Sequence, residues 1–202
     1  AGDWAGGERG IASHPGREAE FRDGVARAIA YAKALGVPQL NCLAGVPPPG
    51  VAEADAQRTL VANLTHAAAE LGAAGLRLLV EPINRRDVPG FFVHRTAQAL
   101  TLLDEVGAAN AFVQYDVYHA QRTEGELAAT LQHHLARIGH VQIADNPGRH
   151  EPGSGEIHFG FLLRHLDAIG YSGWVGCEYV PAGRTEDGLG WRQALGVNMD
   201  RA

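Results

Sequence analysis

From residue 17 onward the chain alternates between stretches with apolar residues at helical spacing and short, nearly continuous apolar runs. Phe21, Val25, Ile29, Ala32 and Leu35 fall on one face of a helix, and Gly36-Val37-Pro38 supplies its stop. Gln39 to Ala44 reads as a buried strand. The proline- and glycine-rich stretch from Gly45 to Gly50 reads as a loop, and Leu60, Leu64, Ala68 and Leu71 form the apolar stripe of a second helix. Leu76 to Glu81 is the next predicted strand, stopped by Pro82. A helix over Thr96 to Val106 and a strand over Ala111 to Asp116 follow. Thr123-Glu-Gly-Glu126 has the spacing of a capping box, in front of a helix carrying Leu127, Leu131, Leu135 and Ile138. His140 to Ala144 reads as a strand. Phe161, Leu162, Leu166 and Ile169 mark a helix, and Trp174 to Glu178 the last strand. Thr185 to Met199 supplies a final loop and helix.

Short apolar strands separated by crossover helices require a parallel sheet covered by helices. Two architectures satisfy this: a doubly wound sheet with helices on both faces, and a barrel with one outer ring of helices. A complete eight-unit barrel takes about 250 residues, and this chain has 202. Its first residue is Ala1 and its only methionine is Met199, so the natural start is expected upstream. The reading is therefore α/β, a (β/α)8 TIM barrel lacking roughly its first two to three βα units. A self-sufficient five-stranded doubly wound domain is the alternative. No linker, charge block or low-complexity stretch divides the chain, so residues 1–202 are expected to form a single domain.

Composition adds mostly exclusions. A net charge of -6 and a pI near 5.9 disfavour nucleic acid and anionic membranes as partners. No apolar run approaches the roughly 18 residues of a membrane span, and no cationic segment followed by an apolar stretch opens the chain. Cys42 and Cys177 lie inside apolar strands rather than in a spaced framework. They read as two buried free thiols, which suits a reducing, cytoplasmic compartment.

The chemistry is concentrated where the strands end. Glu81, Asp116 and Glu178 each close a strand, and Gln142 stands two residues before the end of another. In a parallel α/β fold the carboxyl ends of the strands share one face, and sites are built there. A carboxylate closing an apolar run such as Leu-Leu-Val-Glu is costly unless paired or bound to metal. Three converging carboxylates would also raise one another's pKa values. A divalent cation resolves both conflicts. Three carboxylates and an amide oxygen are a hard donor set suited to Mg²⁺ or Mn²⁺ rather than zinc.

Candidate substrate groups surround that set. His119 follows Asp116 in Asp-Val-Tyr-His. Asn84, Arg85, Arg86 and Asp87 follow Glu81, and Arg149, His150 and Glu151 occupy the loop after Gln142. An arginine can grip a substrate carboxylate with two parallel hydrogen bonds. His66, His133, His134 and His165 fall on predicted helices and read as surface residues. Glu151-Pro-Gly-Ser-Gly-Glu156 matches neither the P-loop nor the dinucleotide spacing.

These residues carry a resemblance. Glu81-Pro-Ile-Asn-Arg85, Gln114-Tyr-Asp-Val-Tyr-His-Ala-Gln121, His140-Val-Gln-Ile-Ala144, Arg149-His-Glu-Pro152, Gly155-Glu-Ile157 and Gly173-Trp-Val-Gly-Cys-Glu-Tyr179 together resemble the hydroxypyruvate isomerase family of the xylose isomerase-like barrel superfamily. Gly2-Asp-Trp and Gly7-Glu-Arg-Gly10 extend the likeness over nearly the whole chain. The resemblance implies a (β/α)8 barrel whose four metal ligands fall on Glu81, Asp116, Gln142 and Glu178. It implies that Glu81 and Glu178 are also the acid–base pair, and that His119 and Arg149 contact substrate. Arg149 or Arg85 would take the substrate carboxylate. The implied reaction interconverts hydroxypyruvate and tartronate semialdehyde by proton transfer through an enediolate, with Mg²⁺ or Mn²⁺. A ketose 3-epimerase, which commonly has His where Gln142 stands, is the neighbouring reading; a catalytically silent metal-binding barrel is another. An apurinic-site endonuclease of the superfamily would need a histidine-rich zinc cluster and a basic face, and the sequence has neither. The implied partner is a small hydroxy-keto acid or sugar. Open sheet edges would favour a homo-oligomer.

Overall fold

A computed structural model describes residues 2–196 of the chain, so the expected helix end at Met199 lies outside the described residues. The chain forms two compact units, Ala1–Gln114 and Tyr115–Ala202, and the boundary falls inside a strand.

In the first unit, α1 (Glu18–Leu35) has Glu18 and Glu20 in its first turn, where the helix dipole favours negative charge. It stops at Gly36, whose φ of 69° lets the amide turn back onto the Ala32 carbonyl. Strand β1 (Gln39–Cys42) pairs in parallel with β2 (Arg77–Val80), Cys42 opposite Val80. Between them α2 (Glu53–Ala73) buries Ala56, Leu60, Leu64, Ala67, Ala68 and Leu71, and packs on both α1 and β2. The apolar run Leu78-Leu79-Val80 is buried throughout, as a parallel strand covered on both faces requires. Helix α3 (Thr96–Val106) buries Ala99, Leu102 and Leu103 and ends at left-handed Gly107. Strand β3 (Ala111–Asp116) begins here, with Leu78, Leu79 and Val80 opposite Ala111, Phe112 and Val113.

The second unit opens with the last residues of β3 and runs directly into α4 (Val117–Thr123), a short helix that the periodicity does not announce. Thr123 is its last residue, so the expected capping box does not form. The Glu124 and Gly125 amides instead return to the Ala120 carbonyl, and the chain turns through left-handed Gly125 and Glu126. Helix α5 (Leu127–His134) therefore starts without a side-chain cap. A single 3-10 turn over Leu135–Arg137 then leads into β4 (Ile138–Ile143), so Ile138 opens a strand rather than closing a helix. Helix α6 (Phe159–Ala168) buries Phe159, Leu162 and Leu166, whereas Phe161 faces outward and stacks on His165. Strand β5 (Val175–Cys177) pairs in parallel with β4. The end of the described chain holds two single-turn helices, α7 (Thr185–Gly188) and α8 (Trp191–Ala194). Both cysteines are free, as expected. Cys42 is half-buried and its thiol is pushed up to about 12 by burial; Cys177 is exposed on β5, contrary to the expected burial. No described helix is long and apolar enough to cross a membrane.

Candidate active site

Glu81 directly follows β2 and is 4% exposed. Its Oε2 accepts a 2.6 Å hydrogen bond from the Asn41 side chain on neighbouring β1. A buried carboxylate needs such a donor, and parallel pairing of the two strands supplies it. Asn41 was not among the sequence candidates. Its signal was present, however: a polar residue within Leu40-Asn41-Cys42-Leu43.

The loop after Glu81 is largely satisfied by its own members. The Asn84 Oδ1 accepts from the Arg86 and Asp87 amides at 3.1 and 2.9 Å, and its Nδ2 donates to the Asp87 carboxylate at 3.0 Å. Such a side-chain turn fixes the backbone locally. Arg85 donates its Nε to the Phe91 carbonyl at 2.9 Å and is tied back into that loop.

Asp116 ends β3 and is 2% exposed. Its Oδ1 accepts from the Tyr118 amide at 2.8 Å and so caps α4. Its Oδ2 faces the His119 Nε2 at 3.6 Å and the Arg149 guanidinium at 3.4 Å. Burial pushes the Asp116 carboxyl up to about 6, and the Glu178 charge adds to the rise. Arg149 and the Tyr118 amide oppose it. His119, 4% exposed, sits in the first turn of α4, three residues after Asp116. The cap on α4 and the direction of His119 are thus set by the same residue.

Glu178 follows β5, and its backbone amide donates to the Ile143 carbonyl at 3.1 Å. Its side chain is 53% exposed and receives the Arg149 Nη2 at 3.0 Å. One guanidinium nitrogen therefore bridges the Asp116 and Glu178 carboxylates. Gln142, half-buried on β4, stands opposite Gly176 of β5. A Cβ at position 176 would lie 3.4 Å from the Gln142 Cγ and 2.9 Å from the His140 Nε2, so glycine there leaves both side chains their room.

In the second unit, then, two of the expected ligands, Asp116 and Glu178, converge on the Arg149 guanidinium, and His119 faces Asp116. A bridging guanidinium between two carboxylates marks a place with affinity for positive charge. The oxygen-rich donor set fits a hard divalent cation there.

Arg149 itself adopts φ 58°, a left-handed conformation that is costly for a residue with a side chain. Its guanidinium lies 5.2 Å over the Tyr118 ring. Tyr118 and Asp145 were also missed at the level of sequence. Tyr118 sits between two sequence candidates. Asp145, like the predicted ligands, is a carboxylate just past an apolar strand.

Comparison with known proteins agrees with this architecture. The family model described as xylose isomerase-like TIM barrel matches residues 3–196. The hydroxypyruvate isomerase of Escherichia coli is 55% identical over 95% of this chain and 74% of its own length. The 2-oxo-tetronate isomerase of Cupriavidus necator is 47% identical over 94% of this chain and 73% of its own. A solved structure described as AP endonuclease, family 2, from Brucella melitensis superposes with a TM-score of 0.92. It is 43% identical and covers 96% of this chain and 74% of that one. The chain belongs to the xylose isomerase-like TIM barrel family and is an enzyme of the isomerase class.

Proposed function

We propose that the protein interconverts hydroxypyruvate and tartronate semialdehyde, with a divalent cation, Mg²⁺ or Mn²⁺, held by Glu81, Asp116, Gln142 and Glu178. The observation that carries this reading is the single Arg149 nitrogen bridging Asp116 and Glu178, a place built for positive charge at the end of two strands. The identity of 55% to a hydroxypyruvate isomerase supports the choice of substrate. In a (β/α)8 barrel the carboxyl ends of all strands open on one face, which is where the four ligands would meet.

When bound, the cation polarises the substrate's adjacent carbonyl and hydroxyl oxygens and acidifies the C–H between them. Glu81 and Glu178 form the acid–base pair. One carboxylate takes a proton from the hydroxyl-bearing carbon, and the other delivers one to the neighbouring carbon. The hydroxyl proton passes between the two oxygens, so the formula of the substrate is unchanged and an enediolate lies between the two transfers. His119 hydrogen-bonds an oxygen of that pair. Arg149, relieved of balancing the two carboxylates, receives the substrate carboxylate.

A second reading is a four-carbon substrate, 2-oxo-tetronate, favoured by the 47% identity to an enzyme of that name. Turnover of both acids by the full-length protein, with Mn²⁺ or Mg²⁺ added and after chelation, tests these readings. Hydroxypyruvate turnover that disappears with the metal is the expected result. Metal-independent turnover would overturn the metal role, and a higher kcat/KM on the four-carbon acid would select the second substrate.

A further inference from the structure

The loop from Asp145 to Ile157 is folded around one carboxylate. Asp145 is 0% exposed. Its Oδ1 accepts from the Asn146 and Ile157 amides at 2.8 and 3.1 Å, and its Oδ2 from the Gly153 and Gly155 amides at 2.8 and 2.9 Å. A carboxylate offers about four acceptor positions, and four backbone N–H groups fill them here. The backbone repeats the closure, since the Asp145 amide donates to the His150 carbonyl and the Glu156 amide to the Asn146 carbonyl. There is no room to spare at the centre: a Cβ at Gly155 would fall 2.7 Å from the Asp145 Oδ1 and 2.2 Å from the Asn146 carbonyl oxygen.

Arg149 rides on this loop in its left-handed conformation. A non-glycine residue stays in that region only when its surroundings over-determine it. At Arg149 they do. Its carbonyl accepts from the Val180 amide at 2.7 Å, its guanidinium packs over Tyr118, and the loop on both sides is closed on Asp145.

We infer that Asp145 is a positioning residue: its buried carboxylate gathers the amides of the 146–157 loop so that Arg149 is held in a strained conformation with its guanidinium at Asp116 and Glu178. The role of Arg149 toward substrate rests on the function proposed above. The positioning itself does not.

Asp145→Asn is the direct probe. It keeps the shape and one accepting oxygen but turns an NH2 toward two amide donors, so the loop loosens while the strands remain. With Arg149→Gln and the double variant it forms a cycle, read in two ways. In steady-state kinetics with hydroxypyruvate, each single variant should lower kcat/KM by roughly tenfold to a hundredfold, mainly through KM. The double variant should be no worse than Arg149→Gln alone. In calorimetric titration with Mn²⁺ alone, each single variant should tighten binding by roughly fivefold, because a competing cation leaves two carboxylates, with no further gain when combined.

Effects that multiply in the double variant would overturn the inference, as would an Asp145→Asn protein with unchanged Mn²⁺ affinity. If the wild-type protein does not turn over hydroxypyruvate, the proposed function fails, and the Mn²⁺ cycle still decides the role of Asp145. If circular dichroism shows Asp145→Asn to be unfolded, Gly155→Ala, which crowds the same carboxylate, takes its place in the cycle under the same two criteria.

Discussion

Two arginines, Arg85 and Arg149, look equivalent in the sequence. Each follows a strand-end ligand candidate by a few residues, and each is a candidate for holding a substrate carboxylate. The structure separates them. Arg85 donates to the Phe91 carbonyl of its own loop, beside an Asn84 turn that settles the local backbone. Arg149 leaves its own loop and bridges the Asp116 and Glu178 carboxylates, in a backbone conformation that the loop must enforce. One loop uses its arginine to close itself; the other is closed by a buried aspartate and offers its arginine to the site. Proximity to a ligand in sequence is therefore weak evidence for a role in binding. Where the backbone amides of the loop find their acceptors is stronger.

The largest test of this contrast concerns the carboxylate that Arg149 meets. Glu178→Gln should keep much of the Mn²⁺ affinity and reduce turnover by roughly a thousandfold, since the amide can still coordinate but cannot exchange a proton. Near-normal activity with hydroxypyruvate would remove Glu178 from the acid–base pair. The next test compares the two arginines directly. Arg149→Gln should raise KM by about a hundredfold, as expected for loss of a charge-assisted pair, whereas Arg85→Gln should move it less than about threefold. Equal effects would break the comparison.

A smaller effect should appear in pH titrations. Asp116 has its carboxyl raised from 3.8 to about 6, so without metal the folded state holds that proton more tightly than the unfolded chain does. The resulting stability is fully present below pH 4 and is lost as pH rises through about 6, worth on the order of 1 to 3 kcal/mol. Mn²⁺ competes with the same proton, so its affinity should climb up to about pH 6 and level off above. Melting of the metal-free protein from pH 4 to 7, beside Mn²⁺ titrations over that range, checks both. A flat Mn²⁺ profile would show that Asp116 is not a ligand with a raised pKa. The smallest effect is expected at Gly176→Ala. The new methyl crowds His140 and Gln142 across the β4–β5 pair, costing about 1 kcal/mol in thermal stability and lowering Mn²⁺ affinity a few-fold. A loss of stability without any change in Mn²⁺ affinity would argue against Gln142 as a ligand.

The sequence was most informative about strands. Runs such as Leu78-Leu79-Val80 must be buried on both faces, so their position is written in consecutive residues, and observed boundaries differ from the expected ones by no more than two residues at either end. It was least informative between Asp116 and Leu127. There α4 forms because the Asp116 side chain caps it, and the chain exits through left-handed Gly125 and Glu126, which leaves the Thr123 capping box unused. A capping box needs its threonine in extended backbone, and here that residue already belongs to the preceding helix. Asn41 and Asp145 were legible only as polar residues within or just past apolar strands. Their partners, Glu81 forty residues away and amides up to twelve residues away, exist only once the chain has folded.

By itself, then, the sequence determined the alternating parallel α/β architecture and the strand-end positions of Glu81, Asp116 and Glu178. Both follow from local periodicity and from the cost of closing an apolar strand with a charge. Tertiary structure alone decided which arginine faces the carboxylates and what holds it there. That choice depends on hydrogen bonds between residues distant in the chain, and no spacing along the sequence encodes them.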